Sequence, residues 1–266
     1  MKFGLYGLHK GENTAPEAFA RRAREAEAAG FESIWVGDHI ALPPDAPDDA
    51  YDPRLEAVVS IAHLAAVTRR VRLGFGVLIL PQRQPVLLAK QLTSIDVLCE
   101  GRLIAGFGVG YLAAELRALG ATLADRGAMT DEYLAAMHAL WDEPPPHFEG
   151  RFASFSNVIQ RPRPIQRPHP PIVIGGDSSA AYRRARAAGG WYGWERTPEQ
   201  IADTLSRLGE DVEITLTPGP PGPIDPDLAR RYGEAGVDRL VLQPPDTTGS
   251  SMDALIAETA ALIDRV

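Results

Sequence analysis

The sequence predicts a (β/α)8 TIM barrel, and three observations carry that expectation. Short apolar runs alternate with longer helical segments along almost all of the 266 residues. About eight such strand–helix units follow one another, more than an open doubly wound sheet usually strings together without a break. The strand candidates are nearly continuous in apolar residues, as strands covered on both faces must be.

The first unit is "KFGLYGL" and a helix from about Ala15, with Thr14 and Glu17 at capping-box spacing and Gly30 at its stop. "FESIWVGDH" is the second strand. Its helix is expected to start at Asp52-Pro53 and to bury a face of Leu55, Val58, Val59, Ala62 and Ala66. "VRLGFGVLIL" is the third strand, with a helix near "PVLLAKQLTSIDVL". "RLIAGFGVG" is the fourth, followed by "LAAELRALG". A helical and proline-rich excursion, residues 121–170, separates strands four and five, and "QRPRPIQRPHPP" marks it as an irregular traverse rather than a linker. "PIVIGG", "GGWYGW", "VEITLTP" and "DRLVLQPP" supply the remaining strands. Helices are expected at "PEQIADTLSRL", "DPDLARRYGEAG" and "MDALIAETAALIDRV", and the whole chain, 1–266, reads as one barrel domain.

Composition narrows the function. A formal charge of −8 argues against general nucleic-acid binding, since no excess positive field meets the phosphates. Cys99 is the single cysteine, which leaves no intramolecular disulfide and no cysteine-rich zinc site. The amino-terminal stretch lacks a signal peptide's long apolar centre, and no uncharged apolar run approaches the ~20 residues of a membrane span. A cytoplasmic protein is expected. No His/Asp/Glu cluster has zinc-ligand spacing and no Gly-x-Ser-x-Gly motif occurs, so neither a metal nor a serine triad is expected.

The glycines of "GRLIAGFGVGYLAAE" raise the question of a dinucleotide fold. The fingerprint Gly-x-Gly-x-x-Gly fails because Tyr111 stands where the third glycine belongs, and no strand ending in an acid follows at the right distance. In a barrel, Gly106, Gly108 and Gly110 fall at the C-terminal end of strand four, the face where active sites lie. Two readings stay open there: bare backbone for a flat ligand or its phosphate, or tight strand–helix packing. Asp38 and His39 end strand two, a carboxylate and an imidazole suited to proton transfer, or a capping Asp beside an incidental His. Gly175, Gly176, Ser178 and Ser179 form a turn into a helix that would suit a phosphate, or a plain serine cap. Gly74 and Gly76 inside strand three suggest a bulge. Arg183 and Arg184 lie just beyond the serine turn, as helix-face charges or as the rim for an anionic tail. His9 is an outside candidate, while His63 and His138 read as structural.

These ordered blocks resemble the luciferase-like monooxygenase family, and within it the coenzyme F420-dependent oxidoreductases. "GFESIWVGDH", "LGFGVLILPQRQPVLLAKQLTSIDVL", "GRLIAGFGVGYLAAELRALG", "RGAMTDEYLAAMHALW", "FEG" and "RPIQRPHPPIVIGG" carry the resemblance, which covers roughly residues 1–195. It implies a bacterial luciferase-like barrel that binds F420 or FMN at its C-terminal mouth. It also implies a cis peptide at Gly76–Val77 backing the ring, and Asp38 with His39 facing the ring's reactive edge. Gly108, Val109 and Gly110, together with Gly175, Gly176, Ser178 and Ser179, would hold the ribityl and phosphate part. Arg83, Arg183 or Arg184 would meet the acidic tail.

Departures qualify the substrate. Tyr111 occupies the position where F420-dependent sugar-phosphate dehydrogenases place a proton-donating glutamate, so it becomes a pocket wall or proton donor. Gly190-Trp191 follows Gly189 where relatives read Asp-Gly-Trp, and "TPGPPGPIDP" is short where larger relatives build a lid. The resemblance therefore implies an F420-dependent oxidoreductase acting on an unidentified small organic molecule, with a homodimer expected by analogy. An FMN-dependent monooxygenase and a non-catalytic cofactor-binding barrel are the alternatives.

Overall fold

A computed structural model of the protein describes residues 1–46, 51–142, 146–209 and 211–265. Parallel strands close into a barrel with helices outside. The staves are Lys2–Tyr6 (β1), Ser33–Val36 (β2), Arg72–Phe75 (β3) continued by Leu78–Ile79 (β4), and Leu103–Gly108 (β5). After the excursion, which holds a small antiparallel hairpin of Phe148–Glu149 (β6) and Ser154–Phe155 (β7), come Ile172–Gly175 (β8) and Gly190–Trp194 (β9). Glu213–Thr217 (β10) and Arg239–Leu242 (β11) complete the ring, and β1 pairs with both β2 and β11. The break in the third stave at Gly76–Val77 leaves β3 and β4 as one interrupted strand, so eight staves close the barrel.

The helices are Pro16–Ala28 (α1), Ala57–Val67 (α2), Pro85–Leu98 (α3), Ala113–Ala118 (α4) and Arg126–Trp141 (α5). Ser179–Ala188 (α6), Pro198–Leu208 (α7), Pro226–Glu234 (α8) and Gly249–Ile263 (α9) complete the outer layer. Each of α3, α7 and α8 starts with proline behind a side-chain cap, from Gln84, Thr197 and Asp225. Proline loses nothing at a first turn whose N–H has no helical partner. Among the described residues no helix is long and apolar enough to cross a membrane.

Two starts differ from the sequence expectation. The box between Thr14 and Glu17 is not made: Thr14 Oγ1 donates to the Gly11 carbonyl at 2.7 Å, and α1 begins at Pro16 behind Ala15. α2 starts at Ala57 rather than Asp52-Pro53, capped by Glu56, whose Oε2 accepts from the Val59 amide. The Pro53 carbonyl and the Leu55 amide are spent on Gly11 and His9, so the backbone there is tied to the β1 loop instead of a helix. The expected face holds only in part: Val58 is buried and Ala62 half-buried, but Leu55, Val59 and Ala66 are exposed, and Ala57, Ile61, Leu64 and Ala65 complete the buried side. A helix apolar almost all round gives the period nothing to select.

Two apolar layers result. Between sheet and helices lies the larger core, and inside the barrel Tyr6, Trp35, Ile104, Val173, Tyr192 and Val241 fill the interior. A buried aromatic ring removes roughly 150–250 Å² from water, about 4–6 kcal/mol at 25 cal/mol per Å². This interior is a packed plug, and it forms the floor beneath the mouth cavity.

Candidate active site

A cavity of about 400 Å³ opens at the C-terminal mouth, lined in part by Gly37, Asp38 and His39 from the β2 end and by Gly76, Val77 and Ile79 from the broken stave. The Gly76–Val77 peptide is cis, as the resemblance implied. A Cβ at Gly108 would meet Val77 Cγ2 at 2.7 Å, and one at Gly175 would lie 3.1 Å from the same methyl. A Cβ at Gly106 would fall 1.8 Å from the Phe75 carbonyl oxygen. The glycines thus first make room for the bulge and its valine, the packing reading of the motif. Gly108 and Gly110 also line the cavity, so they present bare backbone there as well.

Gly37, Asp38 and His39, which follow β2, are each held from a different part of the barrel. The Gly37 amide donates to Nε2 of buried His9 at 3.1 Å. Asp38 accepts from the Ile79 amide and from a two-pronged Arg83, at 2.9, 3.1 and 2.6 Å. Burial pushes the Asp38 carboxyl above its ordinary value, against the pull of Arg83 and the Ile79 amide. Burial also works against the Arg83 charge, but Asp38 and Glu56 outweigh it and hold the guanidinium above its ordinary value. Asp38 is thus a brace tying β2 to the bulge, and Arg83 belongs to it rather than to an external tail.

His39 Nδ1 lies 3.0 Å from Glu115 Oε2, and Glu115 Oε1 accepts the amides of Ile40 and Ala41 at 2.6 and 3.1 Å. Burial opposes ionisation of Glu115, yet the His39 bond and the two amides hold it below its ordinary value. An ionised Glu115 accepts from the imidazole Nδ1 and orients the ring. Nothing in the sequence singles out Glu115: it sits in the first turn of α4, 76 positions from its partner.

Tyr111 stands at the rim, edge-on to His39 with ring centroids 5.9 Å apart. Tyr6, Lys10 and Trp194 complete the lining, and none of them was singled out as a site residue by sequence. Trp194 packs edge to face on Tyr6 at 5.3 Å. His9 is fully buried and lies behind the lining, its Nδ1 without a hydrogen-bond partner among the described residues. Burial, and then the charges of Lys10 and Arg54, press its pKa well below 6.5.

The serine turn lies outside this lining. Gly176, with φ +107°, and Ser178 and Ser179 are exposed beyond the end of β8, and Ser178 Oγ caps α6 by accepting from Ala181 N at 3.1 Å. Val109 is half-buried and does not line the cavity. Arg183 and Arg184 both bind Asp131 on α5, so they brace the outer helices instead of rimming the mouth.

The model of the luciferase-like monooxygenase family matches residues 1–213. The chain belongs to that family. An uncharacterized protein of Mycobacterium tuberculosis is 30% identical over 98% of both chains. An FMNH(2)-dependent dimethylsulfone monooxygenase of Pseudomonas putida is 34% identical over 50% of this chain and 38% of its own length. Among solved structures, an F420-dependent secondary alcohol dehydrogenase in complex with an F420-acetone adduct superimposes with a TM-score of 0.80 over 98% of both chains at 16% identity. Luciferase-like proteins are oxidoreductases and monooxygenases, and similar chains include both F420- and FMN-dependent ones.

Proposed function

We propose that the protein is an F420-dependent oxidoreductase that exchanges a hydride between the deazaflavin and a small organic substrate. The observation that carries this reading is the His39–Glu115 pair at the wall of a cavity backed by the Gly76–Val77 bulge. The cavity suits a flat ring: its volume is within the usual range for small-molecule sites, and glycine backbone at 37, 76, 108 and 110 forms much of its wall. Val77 with Gly76, Gly108 and Gly110 would hold the ring, while Gly175, Gly176, Ser178 and Ser179 would meet the phosphate at the start of α6. Hydride donation or acceptance is the chemistry that the deazaflavin supplies when bound.

The chain's own part is proton handling and positioning. Each hydride added to a carbonyl requires a proton at its oxygen, and each hydride removed from an alcohol requires a base. His39, oriented by Glu115, serves either direction. Asp38 keeps the bulge against the β2 end, and Tyr111 forms a wall beside His39.

Partial likeness to the dimethylsulfone monooxygenase supports a second reading, oxygenation with reduced FMN. Fluorescence titration with F420 and with FMN, in wild type and Ser179→Asp, separates the two. Saturable F420 binding is expected, weakened about tenfold by a negative charge at the turn. A preference for FMN would move the assignment to the monooxygenase, and binding of neither would end the cofactor reading.

A further inference from the structure

Resting on the oxidoreductase reading, the cavity's chemistry narrows the substrate class. Its charged lining side chains are Lys10, Asp38 and His39, with the Asp38 carboxylate engaged by Arg83 and the Ile79 amide, and its remaining polar side chains are the aromatic Tyr6, Tyr111 and Trp194. Among the described residues, no Ser, Thr, Asn, Gln, Glu or Arg side chain lines it. A polyol or sugar would have to surrender water at each hydroxyl with few protein groups to replace it, which costs affinity.

A flat ring meets the opposite situation. Tyr6, Trp194 and Tyr111 line the same cavity, with Val77 and Ile79 beside them. Trp194 and Tyr111 remain 38% and 57% exposed at the rim, a large aromatic surface to leave in water at a cavity mouth. Rings gain by covering such surface face to face or edge to face. Lys10 Nζ lies 5.3 Å from the Tyr6 ring centroid, and an ammonium in the lining disfavours a cationic ligand.

We propose that the substrate is a neutral or anionic molecule built around an aromatic or conjugated ring. The ring is seated against Tyr6, Trp194 and Tyr111, with the atom that exchanges a proton beside His39.

The test is ligand-observed NMR on the protein with and without saturating F420, using three probes: acetophenone, cyclohexyl methyl ketone and glucose 6-phosphate. The first two carry the same carbonyl on an aromatic and a saturated ring. Acetophenone is expected to bind saturably and about tenfold more tightly than cyclohexyl methyl ketone, with no binding of the sugar phosphate. Trp194→Leu weakens acetophenone about tenfold, and Trp194→Phe restores most of the loss. Equal binding of the two ketones, preference for glucose 6-phosphate, or no binding of acetophenone overturns the proposal. An unchanged urea midpoint for each variant checks that the fold is intact, and an F420 titration of the wild type tests the cofactor reading. Acetophenone preference without F420 binding defeats the cofactor reading and leaves the ring subsite; F420 binding without that preference does the reverse.

Discussion

The two ends of the barrel both bury charge, and they treat it differently. At the N-terminal floor, buried Arg239 on β11 contacts Glu32 through Nε and Nη2, Glu213 through Nη2 at 3.1 Å and Thr215 Oγ1 at 2.9 Å. Burial opposes ionisation of both acids. Even so, Arg239 holds Glu32 below its ordinary value, and Lys2 with Arg239 does the same for Glu213. Arg239 is itself raised, although burial works against it. Each partner favours the charge of the other. At the mouth, Asp38 is raised despite its arginine, and His9 is kept neutral with one nitrogen orphaned. The floor is a closed network that secures the fold. The mouth retains uncompensated cost, as sites that must act on a ligand commonly do.

Breaking the floor should have the largest effect on stability. Arg239→Met takes the paired guanidinium from Glu32 and leaves Glu213 with Lys2, which costs about 3 kcal/mol, the low end for a broken buried pair because both acids stay partly exposed. Urea unfolding measures it, and a loss within error of zero would mean that the network contributes nothing to the fold.

The mouth should instead fail in turnover. His39→Gln is expected to lower kcat by about 10²–10⁴ with an unchanged urea midpoint. Glu115→Gln keeps an oxygen for the Ile40 and Ala41 amides but removes the charge facing His39. It should lower kcat less than His39→Gln does, with KM and the urea midpoint unchanged. An unchanged kcat would remove Glu115 from the proton pathway.

The smallest effect lies in the pH dependence of stability, and it sharpens the contrast. The folded pKa of His9 is depressed below 6.5, so its contribution is complete above that value. It is lost as pH falls below 6.5 and the unfolded chain takes a proton that the folded one refuses. The floor acids, depressed below 4.5, keep their contribution until pH falls through the carboxylate range. Stability measured from pH 7.5 to 5 should therefore slope less in His9→Gln than in wild type, while Glu32→Gln should flatten the curve only below about 4.5. Identical slopes for His9→Gln and wild type would show that His9 is not held neutral.

Much of the barrel was legible because its information is local. Apolar runs of strand length, proline first turns and glycine stops mark Lys2–Tyr6, Pro85–Leu98 and Arg239–Leu242 without reference to anything distant. The glycines at 106 and 108 and the pair Asp38-His39 likewise announced the mouth. Only the tertiary structure decided which partners they meet. Val77 fills the space left by Gly108 and Gly175, Arg83 joins Asp38 and Glu56, Glu115 meets His39, and Trp194 closes the cavity against Tyr6. The start of α2 followed the same logic, since bonds from Pro53 and Leu55 to the β1 loop overrode a good local start signal. Short-range preferences fix an element to within a few residues, whereas the closure of the ring brings together side chains as distant in sequence as His39 and Glu115 or Glu32 and Arg239, and no local period encodes such distances.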